Sequence, residues 1–531
     1  MRRDAEQLRR GPFDLLVIGG GIYGAWTAYD AALRGLKVAV VDKGDWASGT
    51  SSASSKLIHG GLRYLEQFRL GLVKKSLEER KRLTALAPHR VTALRFLIPV
   101  YKNSSVGPLR LRAGLALYDL LAGRGQPVAR HGHLTRRQVE KKYPFLRVRG
   151  LKTVLTYGDC QMDDFRFVLE IIRGAFDAGA VTVNYARASE LLVQGDRVVG
   201  AMVTDEITKA NIPVTATVVV NTAGPWIPEV SGPVSREPMI RLTKGVHLVM
   251  PPLPTRDAML VMIKRDKRIF FILPWYGKTL LGTTDTDYEG HPDDVRVEEH
   301  DMDYLLNEAN QIFREAPWDR GAIQGAFAGL RALQNEPGKS PSAVTRKWSV
   351  AEPRKHLLVS VGGKYTSARA DAGILVDRVM AVLGRRPWKE PPTATLPFPW
   401  SPGMPFSQWR RQTVEIGRGL GLDAEAAESA TYRYGTEIEK IFQRIRQHRE
   451  LANLVVPGLP FTKAEIVHGA AVEMAVHLED LLRRRVPLLI LSPVTRQTLV
   501  DVANLAAPVM GWSPEQCREE VNATASRWQI R

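Results

Sequence analysis

The sequence of 531 residues predicts an α/β fold of two main domains followed by a domain of helices. Three observations carry this prediction. A glycine-rich turn joins a buried strand to a helix near the N-terminus, antiparallel-type strand patterns occupy the middle of the chain, and a proline-rich segment leads into a helical C-terminal part. A chain of this length is expected to form two or three domains rather than one.

The first element in order is a nucleotide-binding unit. Residues 13–24 read FDLLVIGGGIYG, a buried-strand pattern that runs into a Gly-x-Gly-x-x-Gly turn, and the helix-forming stretch AWTAYDAALRG follows. Residues 37–42, KVAVVD, form a second strand pattern that ends in an acid. Such glycines allow a tight turn and close approach of a diphosphate, and an acid about 20 residues further on binds ribose hydroxyls. The residues predicted to bind the dinucleotide here are Gly19, Gly21, Gly24 and Asp42.

The later strands favour FAD over NAD, a choice that the fingerprint alone does not make. Residues 180–205 read as strands broken by a Gly-Asp hairpin turn, TVVVNTAG (217–224) is a strand ending in small residues, and HLLVSVGG (356–363) enters a glycine turn before a further helix. A nucleotide fold that resumes after a long insertion is typical of two-domain flavoproteins, and a helix N-terminus stabilises negative charge on a reduced flavin. The predicted cofactor contacts from these turns are Ala223, Gly224 and Gly363.

Composition excludes several classes of protein. The two cysteines, Cys160 and Cys517, provide neither a disulfide framework nor metal-ligand spacing, so we predict no metal site and a reducing compartment. No apolar run reaches the roughly 18 residues that span a bilayer. The start, MRRDAEQLRRG, lacks the apolar core of a signal peptide, so we expect the chain not to be secreted.

The positive charge is concentrated in one part of the chain. Residues 1–155 hold 29 Lys and Arg but 11 Asp and Glu, so the formal charge of +18 belongs to the N-terminal third. A basic surface of this kind suits an anionic lipid or an anionic substrate, and ordinary solvated charge is the alternative. The sequence has no recognition module, zinc spacing or aromatic platform, so we expect no nucleic-acid partner.

Segments spread over most of the chain match one family. The stretch 50–66, TSSASSKLIHGGLRYLE, matches almost without interruption, and further segments agree in order: YGDCQMDDFRFVL (157–169), NTAGPW (221–226), KGVHLVM (244–250), LGTTDTDYEG (281–290), GLRAL (329–333), AVTRKW (343–348) and VGGKYT (361–366). The chain resembles the FAD-dependent glycerol-3-phosphate dehydrogenases, the quinone-linked respiratory family. The resemblance implies a Rossmann-like, amino-acid-oxidase-like two-domain flavoprotein with an antiparallel-sheet substrate domain and a helical C-terminal domain. It also implies oxidation of sn-glycerol 3-phosphate at C2 to dihydroxyacetone phosphate, with electrons passed to a quinone.

The resemblance further implies roles for residues on these segments. Oxidation at C2 needs a base for the hydroxyl proton, cations for the phosphate, and C2 placed beside the flavin. The expected catalytic residues are His247, as the base, with Lys364 and Arg331. The expected substrate contacts are Arg63, Tyr64, Thr284 and Arg346. The serine-rich segment is expected to wrap the flavin, although its serines are also suited to capping a helix; its predicted contacts are Thr50, Ser51, Ser52, Ser54, Ser55 and His59.

Four residues near the predicted site depart from the pattern of the family. They are Tyr23 where Asn is usual, Ala332 where Pro is usual, Tyr365 where Leu is usual and Ala368 where Tyr is usual. We expect FAD binding to survive these changes, whereas the substrate and the electron acceptor are less secure. Two alternatives therefore stay open: a related flavin oxidase or dehydrogenase for another acidic 2-hydroxy or amino compound, and a non-catalytic FAD-fold scaffold.

The domain boundaries follow from these segments. An FAD-binding domain is expected from residues 12–100, 150–235 and 350–390, and a substrate-binding domain from residues 101–149 and 236–349. The proline-rich stretch 391–406 is expected to be an extended linker, and residues 407–531 a helical C-terminal domain.

One further segment concerns binding to a membrane surface. Residues 105–123, SVGPLRLRAGLALYDLLAG, combine leucines with two arginines, a pattern that suits either a helix in a bilayer interface or a helix packed over the substrate domain. The expected partners are glycerol 3-phosphate, a quinone and an anionic membrane surface, with homo-oligomers also compatible. The expected location is the cytoplasm, and a more specific expectation is peripheral attachment to the inner face of the cell membrane.

Overall fold

The structure, a computed structural model, describes residues 1–66, 68–102, 104–232, 239–263, 268–336, 338 and 344–530. Its strands, in chain order, are β1 (Phe13–Ile18), β2 (Val38–Val41), β3 (Leu57–Ile58), β4 (Thr92–Tyr101), β5 (Gly132–Leu134), β6 (Leu151–Gln161), β7 (Val181–Val183), β8 (Ala186–Gln194), β9 (Arg197–Asp205), β10 (Asn211–Asn221), β11 (Ile240–Met250), β12 (Ala258–Met262), β13 (Ile269–Trp275), β14 (Lys278–Gly282), β15 (Thr286–Asp287), β16 (Gly325–Gln334), β17 (Ser349–Arg354) and β18 (Leu357–Val361).

The α-helices, in chain order, are α1 (Ile22–Leu33), α2 (Arg63–Glu66), α3 (Leu70–Leu86), α4 (Pro108–Ala122), α5 (Arg136–Lys142), α6 (Asp164–Asp177), α7 (Ile227–Ser231), α8 (Glu299–Asn310), α9 (Ala368–Val382), α10 (Phe406–Gly419), α11 (Ala424–Tyr434), α12 (Ile438–Gln447), α13 (Lys463–Val472), α14 (Leu478–Asp480), α15 (Leu488–Leu491), α16 (Arg496–Met510) and α17 (Pro514–Trp528). A π-helical turn, Leu481–Arg485, joins α14 to the following segment. Within the described ranges, no helix combines the length and the apolar character needed to cross a membrane.

The nucleotide-binding part is built on a sheet with the strand order β17-β18-β10-β1-β2-β7. The strands from β18 to β7 run parallel, and the β8–β9 hairpin joins β10 in antiparallel fashion. Successive side chains of a strand point to opposite faces. Leu15 and Val17 accordingly pack in the core cluster with α1, α6 and α9, while Leu16 and Ile18 pack in the cluster with β8 and β9. The predicted Rossmann-like nucleotide-binding fold is confirmed.

The predicted elements of this part occur close to their expected positions. The two predicted N-terminal strands are β1 and β2, with α1 between them, and the predicted Gly195–Asp196 turn lies between β8 and β9. The helix predicted from residue 364 begins as α9 at Ala368, because a 3₁₀ turn over Tyr365–Ser367 precedes it. Such turns are frequent at helix starts and tighten the chain where it leaves a strand.

The second part is built on a sheet with the strand order β15-β11-β14-β13-β12-β4-β6-β3, in which β16 pairs with β11. Most neighbours are antiparallel, and the exception is β4 beside β12. The ranges 12–100 and 150–235 assign β6 and all but the last residue of β4 to the FAD-binding domain. Both strands instead belong to this second sheet, so that assignment is wrong for them. Strand patterns alone do not state which sheet a strand joins, because pairing is decided by long-range contacts. The expected boundary at 235–236 lies outside the described residues.

The C-terminal part consists of α10 to α17, and the proline-rich link before it is packed rather than free. Phe398 and Trp400 of the link are buried, and the Phe398 ring lies 5.4 Å from the Trp26 ring of α1. Thr393 Oγ1 also donates to Asp30 Oδ1 at 2.7 Å. The link thus binds the C-terminal helices to the nucleotide-binding part.

Candidate active site

The strand–turn–helix unit at the N-terminus sets the position of the glycine turn. β1 ends at Ile18 and α1 begins at Ile22, with Gly21 as its N-cap. A Cβ at Gly24 would lie 1.8 Å from the Gly19 carbonyl oxygen, so only glycine lets α1 pack this closely on the turn. The N-terminus of α1 consequently lies at the carboxyl edge of the parallel strands, where this fold binds a diphosphate.

Asp42 directly follows β2, and backbone groups hold its carboxylate beside the glycine turn. Its Oδ2 accepts from Gly20 N at 2.6 Å, and its Oδ1 accepts from Gly44 N at 2.9 Å. Burial raises the pKa of Asp42 to about 6, although both hydrogen bonds oppose that rise. The carboxylate is therefore fixed in place before any ligand arrives.

The hydroxyls of the serine-rich segment have partners within the protein. Ser51 Oγ accepts from Ile22 N at 2.9 Å, so this serine caps α1 rather than the helix that follows the segment. Ser54 Oγ donates to Asp164 Oδ2 at 2.8 Å, and Lys56 Nζ pairs with the other carboxylate oxygen at 2.6 Å. The segment is thus tied to α1 on one side and to α6 on the other.

A single cavity of about 1110 Å³ brings most of the predicted residues together. It extends from the glycine turn of β1–α1 to the β16 strand of the second sheet. The predicted residues that line it are Gly19, Gly21, Asp42, Thr50, Ser51, Ser52, Ser54, Ser55, His59, Arg63, Tyr64, Ala223, Gly224, His247, Arg331, Arg346, Gly363 and Lys364. Two predicted residues do not line it. Gly24 packs under the turn, and Thr284 is buried with its Oγ1 accepting from Val246 N at 3.0 Å.

Arginines from distant segments converge on one carboxylate in the cavity. Arg331 NH1 lies 3.2 Å from Asp285 Oδ1, and Arg346 NH2 lies 3.5 Å from Asp285 Oδ2. Burial would raise the pKa of Asp285, but Arg331, Arg346, Arg63 and Arg268 outweigh burial and hold it below its ordinary value. Burial, reinforced by Arg346 and Arg63 and opposed by Asp285, lowers the pKa of Arg331 to about 10. The cluster therefore carries more positive than negative charge.

His247 lies beside this cluster on β11. Its Nε2 is 2.9 Å from Ser55 Oγ, its ring stacks on Phe327 at 5.0 Å between centroids, and its Nδ1 is buried without a partner among the described residues. Burial and the positive charges of Arg331 and Lys56 lower the pKa of His247 well below its usual range. The imidazole is consequently neutral at physiological pH, the state in which it accepts a proton.

Lys364 lies at the N-terminal end of the turn before α9. Its Nζ donates to Ser76 Oγ at 3.0 Å and lies 4.1 Å from the centre of the Tyr64 ring. Burial and the charge of Arg346 lower the pKa of Lys364 to about 7. Lys364 therefore changes charge within the physiological range, unlike the arginines around it. His59, which also lines the cavity, has a pKa lowered by burial to about 4.

Two of the departures from the family's pattern make specific contacts. The Tyr23 hydroxyl accepts from Lys364 N at 3.1 Å and donates to Asp371 Oδ2 at 2.9 Å, so it clamps the turn that carries Lys364. The Tyr365 hydroxyl donates to the Asp164 carbonyl at 2.5 Å. Ala368 is fully buried in the same core cluster with which Tyr23 packs.

The sequence did not predict several of the residues that line the cavity or the contacts that they make. Asp285 stands next to the predicted Thr284, but nothing in the local pattern shows that it pairs with Arg331 and Arg346. The Lys56–Asp164 pair, which joins segments 108 residues apart and does not line the cavity, is likewise not apparent from the sequence. Arg483, from the π-helical turn in the C-terminal part, also lines the cavity. The run of three arginines was the available signal for that residue, but a charge run is usually a solvated face.

Three potential metal-ligand side chains that do not line the cavity lie close together. They belong to Glu298, His300 and Asp301 at the start of α8. Lys244 Nζ already pairs with both carboxylates there.

Comparisons with known proteins agree with this arrangement. Residues 14–364 match the model of the family described as FAD dependent oxidoreductase, and residues 393–517 match that of the C-terminal domain of alpha-glycerophosphate oxidase. The chain is 34% identical to a glycerol-3-phosphate dehydrogenase of Synechocystis, over 98% of this chain and 97% of that protein. It is also 34% identical to the aerobic glycerol-3-phosphate dehydrogenase of Staphylococcus aureus, over 90% of this chain and 87% of that protein.

A solved structure shares the whole architecture. The glycerol-3-phosphate dehydrogenase of Bacillus halodurans, complexed with FAD, superposes with a TM-score of 0.79 at 28% identity, over 98% of this chain and 96% of that one. The fold, the residues that line the cavity and the similar proteins all indicate the same family. The chain therefore belongs to the FAD-dependent oxidoreductases and, within them, to the glycerol-3-phosphate dehydrogenase family.

Proposed function

We propose that this protein oxidises sn-glycerol 3-phosphate at C2 to dihydroxyacetone phosphate, with FAD as the hydride acceptor. One observation carries the proposal: the arginine cluster around Asp285 lies in the same cavity as His247, Lys364 and the dinucleotide turn. A site of this kind offers cations for a phosphate and a neutral base for a hydroxyl proton. The names of the relatives support this substrate.

The residues of the cavity fit FAD. Gly224 has φ of +58°, and a Cβ there would meet no protein atom within 4 Å, so a bare backbone faces open space where the strands end. The α1 N-terminus and the fixed Asp42 would hold the diphosphate and a ribose, and the serine-rich segment would lie along the flavin. The chemistry that bound FAD supplies is acceptance of the C2 hydride.

The arginine cluster would hold the phosphate of the substrate. One carboxylate, Asp285, offsets several guanidinium groups, which leaves net positive charge for a dianion. Arg346 Nε is buried with no partner in the described part of the chain, a state that a phosphate oxygen would relieve. Guanidinium groups suit this task because they bind phosphate through two hydrogen bonds at once.

His247 would take the proton of the C2 hydroxyl, while Lys364 as an ammonium would stabilise the developing alkoxide. The neutral imidazole accepts the O–H proton as the C–H pair leaves as hydride, so the carbon loses two electrons and one ketone forms. A bound phosphate dianion would offset the charges that lower the pKa of His247 and so strengthen it as a base. In this scheme Lys364 contributes as a cation and His247 as a base.

We further propose a quinone as the electron acceptor. The match of residues 393–517 to the C-terminal domain of alpha-glycerophosphate oxidase favours molecular oxygen as the second candidate. Rapid mixing of the reduced enzyme with a soluble quinone analogue or with oxygen compares the two. Oxidation by oxygen at a rate equal to or above that by the quinone would favour the oxidase alternative.

The outer face of α4 supports a membrane surface as a partner. α4 buries Leu111, Leu115 and Tyr118, so it packs on the protein, yet it leaves Leu109 84% and Leu120 76% exposed. Its Arg110 and Arg112 are exposed as well, a combination that suits an anionic lipid surface. Attachment of this face to the cytoplasmic side of the cell membrane is part of the proposal, as is the location that it implies. Oligomeric state stays a prediction.

Co-sedimentation with phosphatidylglycerol vesicles tests the membrane surface. Replacing Leu109 and Leu120 by Ser should lower the bound fraction several-fold. The matched control is Val193→Ser, which changes an exposed apolar residue on the β8 strand. Equal binding by both variants would rule out α4 as the contact.

The substrate is tested by adding sn-glycerol 3-phosphate to the FAD-loaded protein without oxygen. We expect the visible absorption band of the flavin to bleach. Glycerol, which lacks the phosphate, and sn-glycerol 1-phosphate, which presents the opposite hand at C2, are the controls and should leave the band almost unchanged. A flavin spectrum that a saturating dose does not alter would remove this substrate.

A further inference from the structure

Arg483 enters the cavity from the C-terminal part of the chain. It lies in the π-helical turn Leu481–Arg485 and is 9% exposed. Its NH2 donates to the Ser52 carbonyl at 3.3 Å, and its guanidinium lies 5.5 Å from the centre of the Phe327 ring. A guanidinium from the end of the chain thus reaches the serine-rich segment near its start.

The two arginines that follow Arg483 are in contact with a carboxylate, whereas Arg483 is not. Arg484 Nε lies 2.5 Å from Asp45 Oδ2, and Arg485 NH2 lies 3.0 Å from Asp45 Oδ1. Among the described residues, no carboxylate lies within 4.0 Å of Arg483. Asp164, Glu479 and Asp163 act on it from farther away. Lys56 already pairs with Asp164 at 2.6 Å, and Arg527 pairs with Glu479 at 3.3 Å. Burial, and then Arg484, lower the pKa of Arg483 to about 10, a sign of an incompletely compensated cation.

A buried guanidinium with one backbone partner is costly unless an anion accompanies it. The position of Arg483 indicates which anion would accompany it. Ser52, its partner, directly follows Ser51, whose Oγ accepts from Ile22 N in the first turn of α1. That helix end is where a dinucleotide places its diphosphate. Arg331 of the cluster around Asp285 lies farther along β16 than Phe327, and that cluster is the proposed site for the phosphate of the substrate.

We propose that Arg483 is an anion-binding residue of the cofactor site, which pairs with the diphosphate of FAD and makes FAD binding depend on the C-terminal helices. Through this pairing the C-terminal part would contact the cofactor directly. It would also explain why one arginine of the run lacks an acidic partner while its neighbours share Asp45. The inference rests on FAD binding and not on the identity of the substrate.

Titration of the full-length apoprotein with FAD tests the proposal. Arg483→Met should raise the Kd for FAD by about 10- to 100-fold, the cost of losing a charge-assisted hydrogen-bond partner. Arg483→Lys, which keeps the charge, should stay within several-fold of the wild type. The matched control is Arg446→Met, because Arg446 is also an arginine of the C-terminal part but does not line the cavity, is 44% exposed in its side chain and pairs with Glu439 at 2.5 Å. This control should leave the Kd unchanged.

Riboflavin keeps the isoalloxazine ring and ribityl chain of FAD but has neither the diphosphate nor the adenosine. It lacks the diphosphate, so its Kd should be the same for the wild type and for Arg483→Met. An unchanged Kd for FAD in Arg483→Met would overturn the proposal, as would equal losses for FAD and riboflavin. An unchanged Kd for FAD with a raised KM for sn-glycerol 3-phosphate would also overturn it and assign Arg483 to the substrate.

A second variant keeps the test valid if Arg483→Met does not fold. Arg483→Gln removes the charge but retains a hydrogen-bond donor, and far-ultraviolet circular dichroism of its apoprotein reports its folding. It should show the same preferential loss of FAD over riboflavin. A wild-type Kd for FAD in this folded variant would overturn the proposal.

Discussion

The two halves of the cavity are built by opposite means. The cofactor half, formed by the β1–α1 turn, Asp42 and the turn at Gly224, presents backbone groups and small residues. The half proposed to bind the substrate, the substrate half, is formed by His247, Lys364 and the arginine cluster around Asp285, and it presents charged and titratable side chains. At its glycines the cofactor half depends on the absence of side chains, so it is sensitive to added volume there. The substrate half depends on charge and proton affinity, so it is sensitive to isosteric changes that alter either.

The largest expected effect is in the substrate half, at His247. His247→Asn keeps a polar side chain of similar shape but removes the base, so flavin reduction should slow by about 10²- to 10⁴-fold. FAD should stay bound and the substrate should still saturate. Stopped-flow reduction without oxygen measures the rate. A rate equal to that of the wild type would show that His247 is not the base and would make Lys364 the residue to test.

The next effect comes from removing one cation of the same half. Arg331→Ala should weaken the binding of sn-glycerol 3-phosphate by about 2–4 kcal/mol, because a buried guanidinium partner is lost. The Kd for FAD should not change, and the slow reaction with glycerol should change little. Arg320→Ala removes an exposed arginine paired with Asp303 at 2.6 Å and serves as the control. Equal losses for glycerol and its phosphate would indicate damage to the fold instead.

A smaller effect is expected in the cofactor half, from a single added methyl group. Gly24→Ala places a Cβ 1.8 Å from the Gly19 carbonyl oxygen, so α1 has to move away from the turn. Overpacking of this kind costs about 1–3 kcal/mol, and we expect a corresponding rise in the Kd for FAD. Gly114→Ala, inside α4 with no atom within 4 Å of the added Cβ, is the matched control and should bind FAD normally. Normal FAD binding by Gly24→Ala would contradict the steric account of this half.

The smallest effect is a pH dependence of the substrate half. The pKa of Lys364 is lowered to about 7, so the free enzyme loses this cation as the pH rises through that value. If Lys364 acts as a cation, kcat/KM should fall about tenfold per pH unit above pH 7. Lys364→Met should have a low kcat/KM without that decline, and Lys364→Arg should keep the charge to higher pH. A kcat/KM that instead rises through pH 7 in the wild type, and not in Lys364→Met, would make Lys364 the base.

Sequence reasoning placed the elements correctly where the structure depends on neighbours in the chain. The β1–α1–β2 unit, its glycines and Asp42 lie within 30 residues, and their spacing follows from the geometry of one strand, one turn and one helix. It failed for β4 and β6, because an alternating pattern shows that a strand exists but not which sheet it joins. It also did not foresee that Ser51 caps α1 or that Ser54 bonds to Asp164, because those partners come from other segments.

The sequence by itself determined the dinucleotide unit, the preference for FAD and the set of cavity residues that carry the resemblance. Only the tertiary structure decided which charged residues lie close enough to one another to interact. Asp285, Arg331 and Arg346 come from separate segments, and Arg483 comes from beyond the proline-rich link. Local spacing reflects the fixed geometry of the backbone, whereas a buried ion pair depends on which distant segments the two sheets and the C-terminal helices bring within a few ångströms. The pKa values of His247 and Lys364 depend on that burial and on those charges, so they too are properties of the folded chain.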